Sequence, residues 1–143
     1  MAFPSGTDLL GIPMRKFVLL PLLFALSCNA AAEWVRFGSS GDGNSTIYVS
    51  PSTIRVSGAM VKMWTLFDGK KQNTNFAIPF MSMNLQSEFD CKEERVRSLS
   101  QTNLSGNMGG GVAVYADSKP SPWRPFSPES IDEGLWKYAC GRQ

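Results

Sequence analysis

Apolar and polar positions alternate over much of residues 33–115, and this pattern predicts a series of β-strands. A period of two is expected when one face of a strand is buried and the other is solvated. The clearest case runs from Met81 to Phe89, where apolar residues and Ser87 fill every second position and polar residues fill the rest. The strand pieces predicted in this way cover residues 34–37, 46–49, 54–56, 60–67, 81–89 and 112–115.

The piece at 60–67 (MVKMWTLF) is apolar on both faces, which is typical of a central strand. Pro51-Ser52 is interpreted as a turn, the polar stretch 68–79 as a loop and the glycine-rich stretch 106–111 as a turn. The charged segment 92–97 (KEERVR) is compatible with a helix or a strand. We favour a strand that contains Val96 and Leu99.

Helix signals come together near the C-terminus. Ser127 followed by Pro128 suits an N-cap and a first helical residue, and Gly141 is a plausible end. Apolar residues recur between them at helical spacing. The predicted fold is α+β: an antiparallel sheet of about five to six strands, with one C-terminal helix packed on it.

The N-terminal segment has the features of a secretory signal peptide. A basic pair, Arg15 and Lys16, precedes an apolar run at 17–26. That run is shorter than the roughly 20 apolar residues that span a bilayer. Ala30 and Ala32 suit the small-residue positions of a cleavage site, which places the cut before Glu33. Residues 1–13 are interpreted as an over-extended start, with translation beginning at Met14, so that 1–32 is removed and 33–143 forms a single domain.

Cys28 offers an alternative fate for this segment, because a lipoprotein would retain it as its lipid-bearing first residue. That site favours a Leu-like residue three positions earlier, where this chain has Ala25. We therefore favour cleavage after Ala32 over lipidation of Cys28.

Two cysteines, Cys91 and Cys140, follow the predicted cut. An exported protein meets an oxidising compartment, so we expect them to form a disulfide between the sheet and the helix. The alternatives, a metal pair or a reactive thiol, lack support because the chain has no C-x-x-C motif and no histidine.

Charge and composition exclude several classes of function. The formal net charge is +2, and it falls to +1 when the signal segment removes two basic residues and one acidic residue. This balance gives no reason to expect nucleic acid or an anionic membrane surface as partner. The chain has no histidine, which excludes Ser-His-Asp and Cys-His catalysis and histidine-bound zinc. We expect no metal and no cofactor.

Three carboxylates, Asp90, Glu93 and Glu94, lie close together in the sequence. Paired carboxylates can share acid and base roles if burial separates their pKa values. Because Lys92 and Arg95 alternate with them, we favour a solvated, charge-compensated face over a catalytic site.

A proline-rich stretch, KPSPWRPFSP, contains Trp123, Arg124 and Phe126. Aromatic and arginine side chains in a stiff loop are good anchors for a protein partner. The alternative, which we favour, is that Trp123 and Phe126 cover the start of the helix as part of the core.

Several short motifs follow one another along the chain: EWVRF, YVSPSTIRV, VKMWTLFD, DCKEERVRSLS, WRPF and LWKYAC. In this order they resemble the bacterial surface-adhesin protein E-like family. The resemblance covers essentially all of residues 33–142. The resemblance implies an antiparallel sheet with a C-terminal helix. It also implies a function like that of the family's outer-membrane lipoprotein, which binds host proteins.

Three functional hypotheses follow. The first is a non-catalytic, adhesin-like binding module of the cell envelope, exported to the periplasm or cell surface, with a protein partner of unknown identity or a second copy of the chain. The alternative is an exported enzyme or enzyme inhibitor that uses the Asp90–Glu94 region, and a purely structural envelope role is the third possibility. We expect no membrane-spanning segment in the domain.

Overall fold

The computed structural model describes residues 33–141. The predicted start at Met14, the signal segment, its cleavage site and Cys28 lie outside the described residues. Within residues 33–141 the chain forms seven strands, a short 3-10 turn over Asn107–Gly109 and one α-helix. The strands are β1 (Val35–Ser39), β2 (Ser45–Ser57), β3 (Met60–Asn73), β4 (Phe80–Asp90), β5 (Arg95–Leu104), β6 (Ala113–Asp117) and β7 (Arg124–Pro125), and the helix is α1 (Ile131–Cys140).

The sheet is antiparallel and follows the order of the chain, β1-β2-β3-β4-β5-β6, while the short β7 pairs with the other part of β5. The predicted α+β class, with an antiparallel sheet and one C-terminal helix, is confirmed. The predicted central strand at 60–67 is also confirmed, since it lies in β3 with two strands on one side and three on the other.

The strand β2 continues through Pro51, so the prediction that a turn at Pro51-Ser52 ends one strand is wrong. The pairing with β3 shifts between Ser50 and Arg55, and such a bulge accommodates a residue without a backbone N–H. The Thr53 hydroxyl stabilises this irregularity. It donates to the Ser50 carbonyl at 2.6 Å and accepts from the Trp64 N–H at 3.0 Å.

The strand β3 continues to Asn73, so half of the loop predicted at 68–79 is strand. Polar residues can extend a strand where their backbones find partners, and here Asp68 pairs with Thr46 and Ser82, and Gly69 pairs with Ser45. The predicted strand after residue 92 begins only at Arg95, because the chain makes a turn between β4 and β5. Glu94 closes that turn with a φ of 50°.

The hydrophobic core lies between one face of the sheet and α1. Five fully buried sheet residues form one cluster with Leu135 and Ala139 of the helix; they are Val49, Val61, Met63, Phe89 and Val96. Phe37 and Tyr138 close one side of this core with an edge-to-face contact, their ring centroids 5.9 Å apart.

The helix begins one turn later than predicted, and Ser130 rather than Ser127 is its N-cap. The Ser130 hydroxyl accepts the backbone N–H of Glu133 at 3.2 Å. Glu129 has a φ of 60°, in the left-handed region, so the helix cannot extend backwards through it. The predicted end at Gly141 is confirmed, because this residue is the C-cap.

A disulfide joins Cys91, just after β4, to Cys140 at the end of α1, with the Cα atoms 5.7 Å apart. The predicted link between sheet and helix is therefore confirmed. The indole N–H of Trp136 donates to the Asp90 carbonyl at 2.9 Å, one residue before Cys91. A covalent bond and a hydrogen bond thus hold the helix to the same point of the sheet.

Candidate functional site

The two faces of the sheet differ in what covers them. We call the face that packs on α1 the helix face and the opposite one the open face. Because side chains alternate along a strand and directly paired residues share a face, the register assigns each residue. Trp64 pairs with Ser50 and Gln86, out of phase with the core residues Val61 and Met63, and so lies on the open face.

Aromatic and polar side chains occupy the middle of the open face. Ser50, Trp64, Gln86 and Ser100 form one row across four strands. The next row contains Tyr48, which lies beside Arg36 of β1. The Tyr48 and Trp64 side chains are both partly exposed. Two aromatic side chains are thus partly exposed on the open face, and sequence patterns alone did not point to this surface.

Trp123 lies over the end of the open face nearest the turn between β4 and β5. The Cζ atoms of Arg95 and Arg97 are 4.7 and 4.5 Å from the centre of its ring. Cations are attracted to the face of an indole ring at such distances. Trp123 is therefore held in place by two neighbouring arginines of β5.

Each of these arginines also pairs with a carboxylate on β4. Arg95 Nε is 3.0 Å from Asp90 Oδ2, and Arg97 bonds Glu88 Oε1 through Nε at 2.8 Å and Nη2 at 2.6 Å. Both carboxylates are largely buried. The indole, the two guanidinium groups and the two carboxylates thus form a layered arrangement in which every charge has an opposite partner.

The structure separates the three residues predicted as a protein-binding group. Arg124 pairs with Val96, a core residue, and so is on the helix face, where it binds Asp132 at 2.5 Å. Phe126 contacts Trp136 of the helix, with ring centroids 5.5 Å apart. Trp123 alone lies on the open face. The alternation of strand residues explains this division, and no pattern in the sequence indicated that residues 124–125 would pair with β5.

Asp90 is not part of a solvated charged face, and this prediction is wrong. Its side chain is 2% exposed. It accepts the backbone N–H groups of Lys92 and Glu93 at 3.1 and 3.0 Å, besides its bond to Arg95. Burial alone would raise the pKa of Asp90, but the hydrogen bonds from Glu93, Arg95 and Lys92 outweigh it and lower that pKa. The carboxylate stabilises the turn that contains Cys91.

Glu93 and Glu94, the other two candidate carboxylates, are exposed on that turn. Asp90 is instead enclosed and bonded to its own turn, so the three do not share one environment. In residues 33–141 no group of three or more Cys, Asp or Glu side chains is arranged to hold a metal ion.

A hydrophobic membrane-spanning helix is not found in the described part of the chain. Its single helix, α1, has ten residues.

Comparison with known proteins gives one family and one fold. The family model described as "Surface-adhesin protein E" matches residues 34–141. No curated protein matches the sequence. Among solved structures, the fold resembles that of Haemophilus influenzae protein E. One crystal form has a TM-score of 0.59 at 12% identity, covering 76% of this chain and 87% of that one. A second structure gives 0.58 at 13% identity, covering 76% and 84%.

Proposed function

The chain belongs to the surface-adhesin protein E family, and we propose that it is an exported, non-catalytic module of the bacterial cell envelope that binds another protein through its open face. Membership of an adhesin family supports a surface protein that recognises other molecules. The composition of the open face supports a protein as the ligand. The periplasm and the outer surface are both compatible with this function.

The observation on which the proposal depends is the clustering of tryptophan, tyrosine and arginine on the open face. These three residue types are enriched among the side chains that contribute most to protein–protein affinity. Tyr48 and Trp64 lie in adjacent rows of the sheet, and Trp123 is stacked above the arginines of β5. Anchors that are already held in place lose little conformational entropy when a partner binds.

Charge indicates what kind of partner fits. By register, the strands of this face hold two more cations than anions. Lys62 is exposed and lies one row from Trp64. A partner with an acidic surface would complement this excess. The cations are Arg36, Arg55, Lys62, Arg95 and Arg97, and the anions are Asp68, Glu88 and Asp90.

Arg124 and Phe126 take a supporting role in this proposal. Arg124 binds the helix at Asp132, and Phe126 packs on Trp136. These contacts fix the segment that directly follows Trp123, so that its ring is presented on the open face.

The alternative of an exported enzyme has less support. The oxygens of Asp90 are engaged in its own turn, and Glu88 is bound to Arg97. A general acid or base must be able to reach a substrate, and these buried pairs offer no such access.

The test is direct binding of the purified protein to a panel of purified extracellular-matrix and envelope proteins. We expect Trp64→Ala and Lys62→Glu to weaken binding of the partner at least about tenfold, since each removes a central contact or reverses a charge. Lys137→Glu makes the same charge change on the helix and should leave binding intact. Equal losses for Lys62→Glu and Lys137→Glu, with both variants folded, would contradict the proposal.

A second copy of the chain is a further candidate partner, and the strand β6 favours it. In the described residues β6 pairs only with β5, and residues 111–116 contain no charge and no proline. Val112 and Tyr115 are 67% and 48% exposed. Proteins usually protect an edge of this kind with charge, proline or a bulge. Tyr115→Lys should convert a dimer to a monomer in light scattering, and a monomeric unaltered protein would exclude this partner.

A further inference from the structure

A cavity of about 380 Å³ lies at the end of the sheet opposite to the disulfide. Its floor is formed by Phe67 of β3 and by Met81 and Met83 of β4. These residues continue the helix face beyond the part that α1 covers, since Phe67 pairs with Met83 and shares the parity of Met63. The volume is in the range of sites that bind small molecules.

The walls come from two loops, one between β1 and β2 and the other between β3 and β4. The second loop places Phe76 at the cavity, with its side chain 50% exposed. The Phe76 and Phe80 rings make an edge-to-face contact with their centroids 5.3 Å apart, and Phe80 is buried. This contact holds an exposed aromatic ring beside the opening, where it offers a flat apolar surface to a ligand.

Amide and hydroxyl side chains line the rest of the cavity. The side chains of Gln72, Thr74 and Asn75 make no hydrogen bond to other groups in residues 33–141, so their donors and acceptors are available. Asn73 Oδ1 accepts the Asn75 N–H at 3.0 Å and thereby shapes the loop. A side-chain amide offers two donors and a carbonyl acceptor, and a hydroxyl can both donate and accept. Such groups match the hydroxyls of a sugar.

The charges of the cavity cancel. Among the residues that line it, Asp42 is the single acid and Lys71 the single base. The Ser40 hydroxyl, followed by the backbone and side-chain N–H groups of Asn44, lowers the pKa of Asp42 to about 2. The carboxylate is therefore ionised at neutral pH and balances the lysine. A charged ligand would find no excess of opposite charge, so a neutral polar ligand fits best.

We propose that this cavity binds a neutral carbohydrate, with one pyranose ring packed on Phe76 and its hydroxyls bonded to Gln72, Thr74 and Asn75. The C–H groups on one side of a pyranose are weakly positive, and they pack on the negative face of an aromatic ring. The site is on the opposite face of the sheet from Trp64, so it is independent of the proposed protein-binding surface.

The test uses the purified protein on an array of neutral, sialylated and sulfated glycans, followed by NMR titration with the neutral methyl glycoside that binds best. We expect neutral glycans to bind and the backbone signals of residues 72–76 to shift. Phe76→Ala should weaken binding about tenfold, because it removes an exposed contact surface. Asn75→Ala should weaken it in the same direction.

Trp64→Ala is the matched control, an aromatic truncation on the open face that should leave sugar binding unchanged. Phe76→Ala should in turn leave binding of a protein partner unchanged, so the two proposals can fail separately. Retention of only charged glycans would overturn the inference. So would the absence of any glycan binding, or shifts confined to the open face.

Discussion

Arg95 Nε donates to Asp90 Oδ2 at 3.0 Å, across the turn that contains Cys91. The pair joins the end of β4 to the start of β5, and Trp123 stacks on the same arginine. The Asp90 side chain is almost completely buried, whereas the Arg95 side chain is partly exposed. The turn, the disulfide and the open face therefore depend on one carboxylate.

Asp90→Asn should destabilise the protein by about 1–3 kcal/mol, the usual cost when a buried hydrogen bond to a charged group is lost. Urea unfolding measures this change. Glu93→Gln is the matched control on the same turn and should alter stability by less than about 0.5 kcal/mol, as for most surface substitutions. Equal effects of the two substitutions would show that Asp90 has no special role.

The same substitution should change the pH dependence of stability. The pKa of Asp90 is lowered in the folded protein, and its unfolded value is about 3.9. A lowered folded pKa stabilises the fold above the unfolded pKa, and the contribution is lost as pH falls through the folded pKa. The stability difference between the unaltered protein and Asp90→Asn should thus be constant above about pH 5 and shrink below about pH 4. A difference that grows in acid would contradict this assignment.

Cys140→Ser should lower the melting temperature clearly and leave one titratable thiol, at Cys91. The chain-entropy model gives up to about 4 kcal/mol for a loop of this size, and measured values are often smaller. Hydrogen exchange should rise first in α1, because the bond from Trp136 to the Asp90 carbonyl is left to hold the helix there. The double variant, with Cys91→Ser added, should be only slightly less stable than Cys140→Ser, because both substitutions remove the same disulfide. Two reactive thiols in the native, non-reduced protein would refute the disulfide.

Ser130→Ala should cost about 1 kcal/mol, the typical loss for an N-cap hydroxyl. Ser127→Ala should cost much less, because Ser127 contributes its backbone carbonyl to Ser130 and alanine retains that group. Thermal unfolding of the two variants separates the cap found in the structure from the one predicted by the Ser-Pro pattern. A larger loss of stability for Ser127→Ala than for Ser130→Ala would instead favour a helix that begins after Ser127.

Glu94→Gly should stabilise the protein by up to about 1 kcal/mol. A left-handed backbone costs a residue with a side chain about 1–2 kcal/mol, and the entropy lost by glycine offsets part of that gain. Glu94 has a φ of 50°. Glu93 does not have a positive φ. Glu93→Gly should therefore destabilise the protein, because glycine loses more backbone entropy on folding and relieves no strain there. Chemical denaturation gives both signs, and the same sign for both variants would contradict the backbone argument.

The processing of the N-terminus remains a prediction that mass spectrometry can test. If the cut follows Ala32, the exported protein begins at Glu33 and has no lipid. An N-terminal Cys28 bearing a diacylglyceryl group would show instead an anchored lipoprotein.

The strand positions were largely predictable because burial of one face imposes alternation, as at Met81–Phe89, and the disulfide followed from the expected compartment. The course of β2 through Pro51 was not, since it depends on a hydroxyl, that of Thr53, which bonds at the bulge. Nor was the burial of Asp90, because a charge in a hydrophilic sequence is buried only when the folded turn supplies its partners.

The candidate sites were the least predictable part. Trp123 and Arg124 are adjacent in the sequence, yet the register of two residues in β7 places them on opposite faces. Tyr48 and Trp64 are far apart in the sequence and become neighbours only through the pairing of β2 with β3. The cavity combines residues of β2, β3 and β4 with residues of two loops, so no single pattern in the chain could have united them.

The chain-order meander has a consequence for the order in which the structure can form as the chain is synthesised. Each of the first six strands pairs with its neighbour in sequence, and contacts of short sequence separation form quickly. Cys91 emerges with the fourth strand, while Cys140 follows 49 residues later. The sheet can therefore assemble around a cysteine whose partner is still absent. Oxidation of the two cysteines is then the last step, and it attaches the ten-residue helix α1 to a sheet that has already formed.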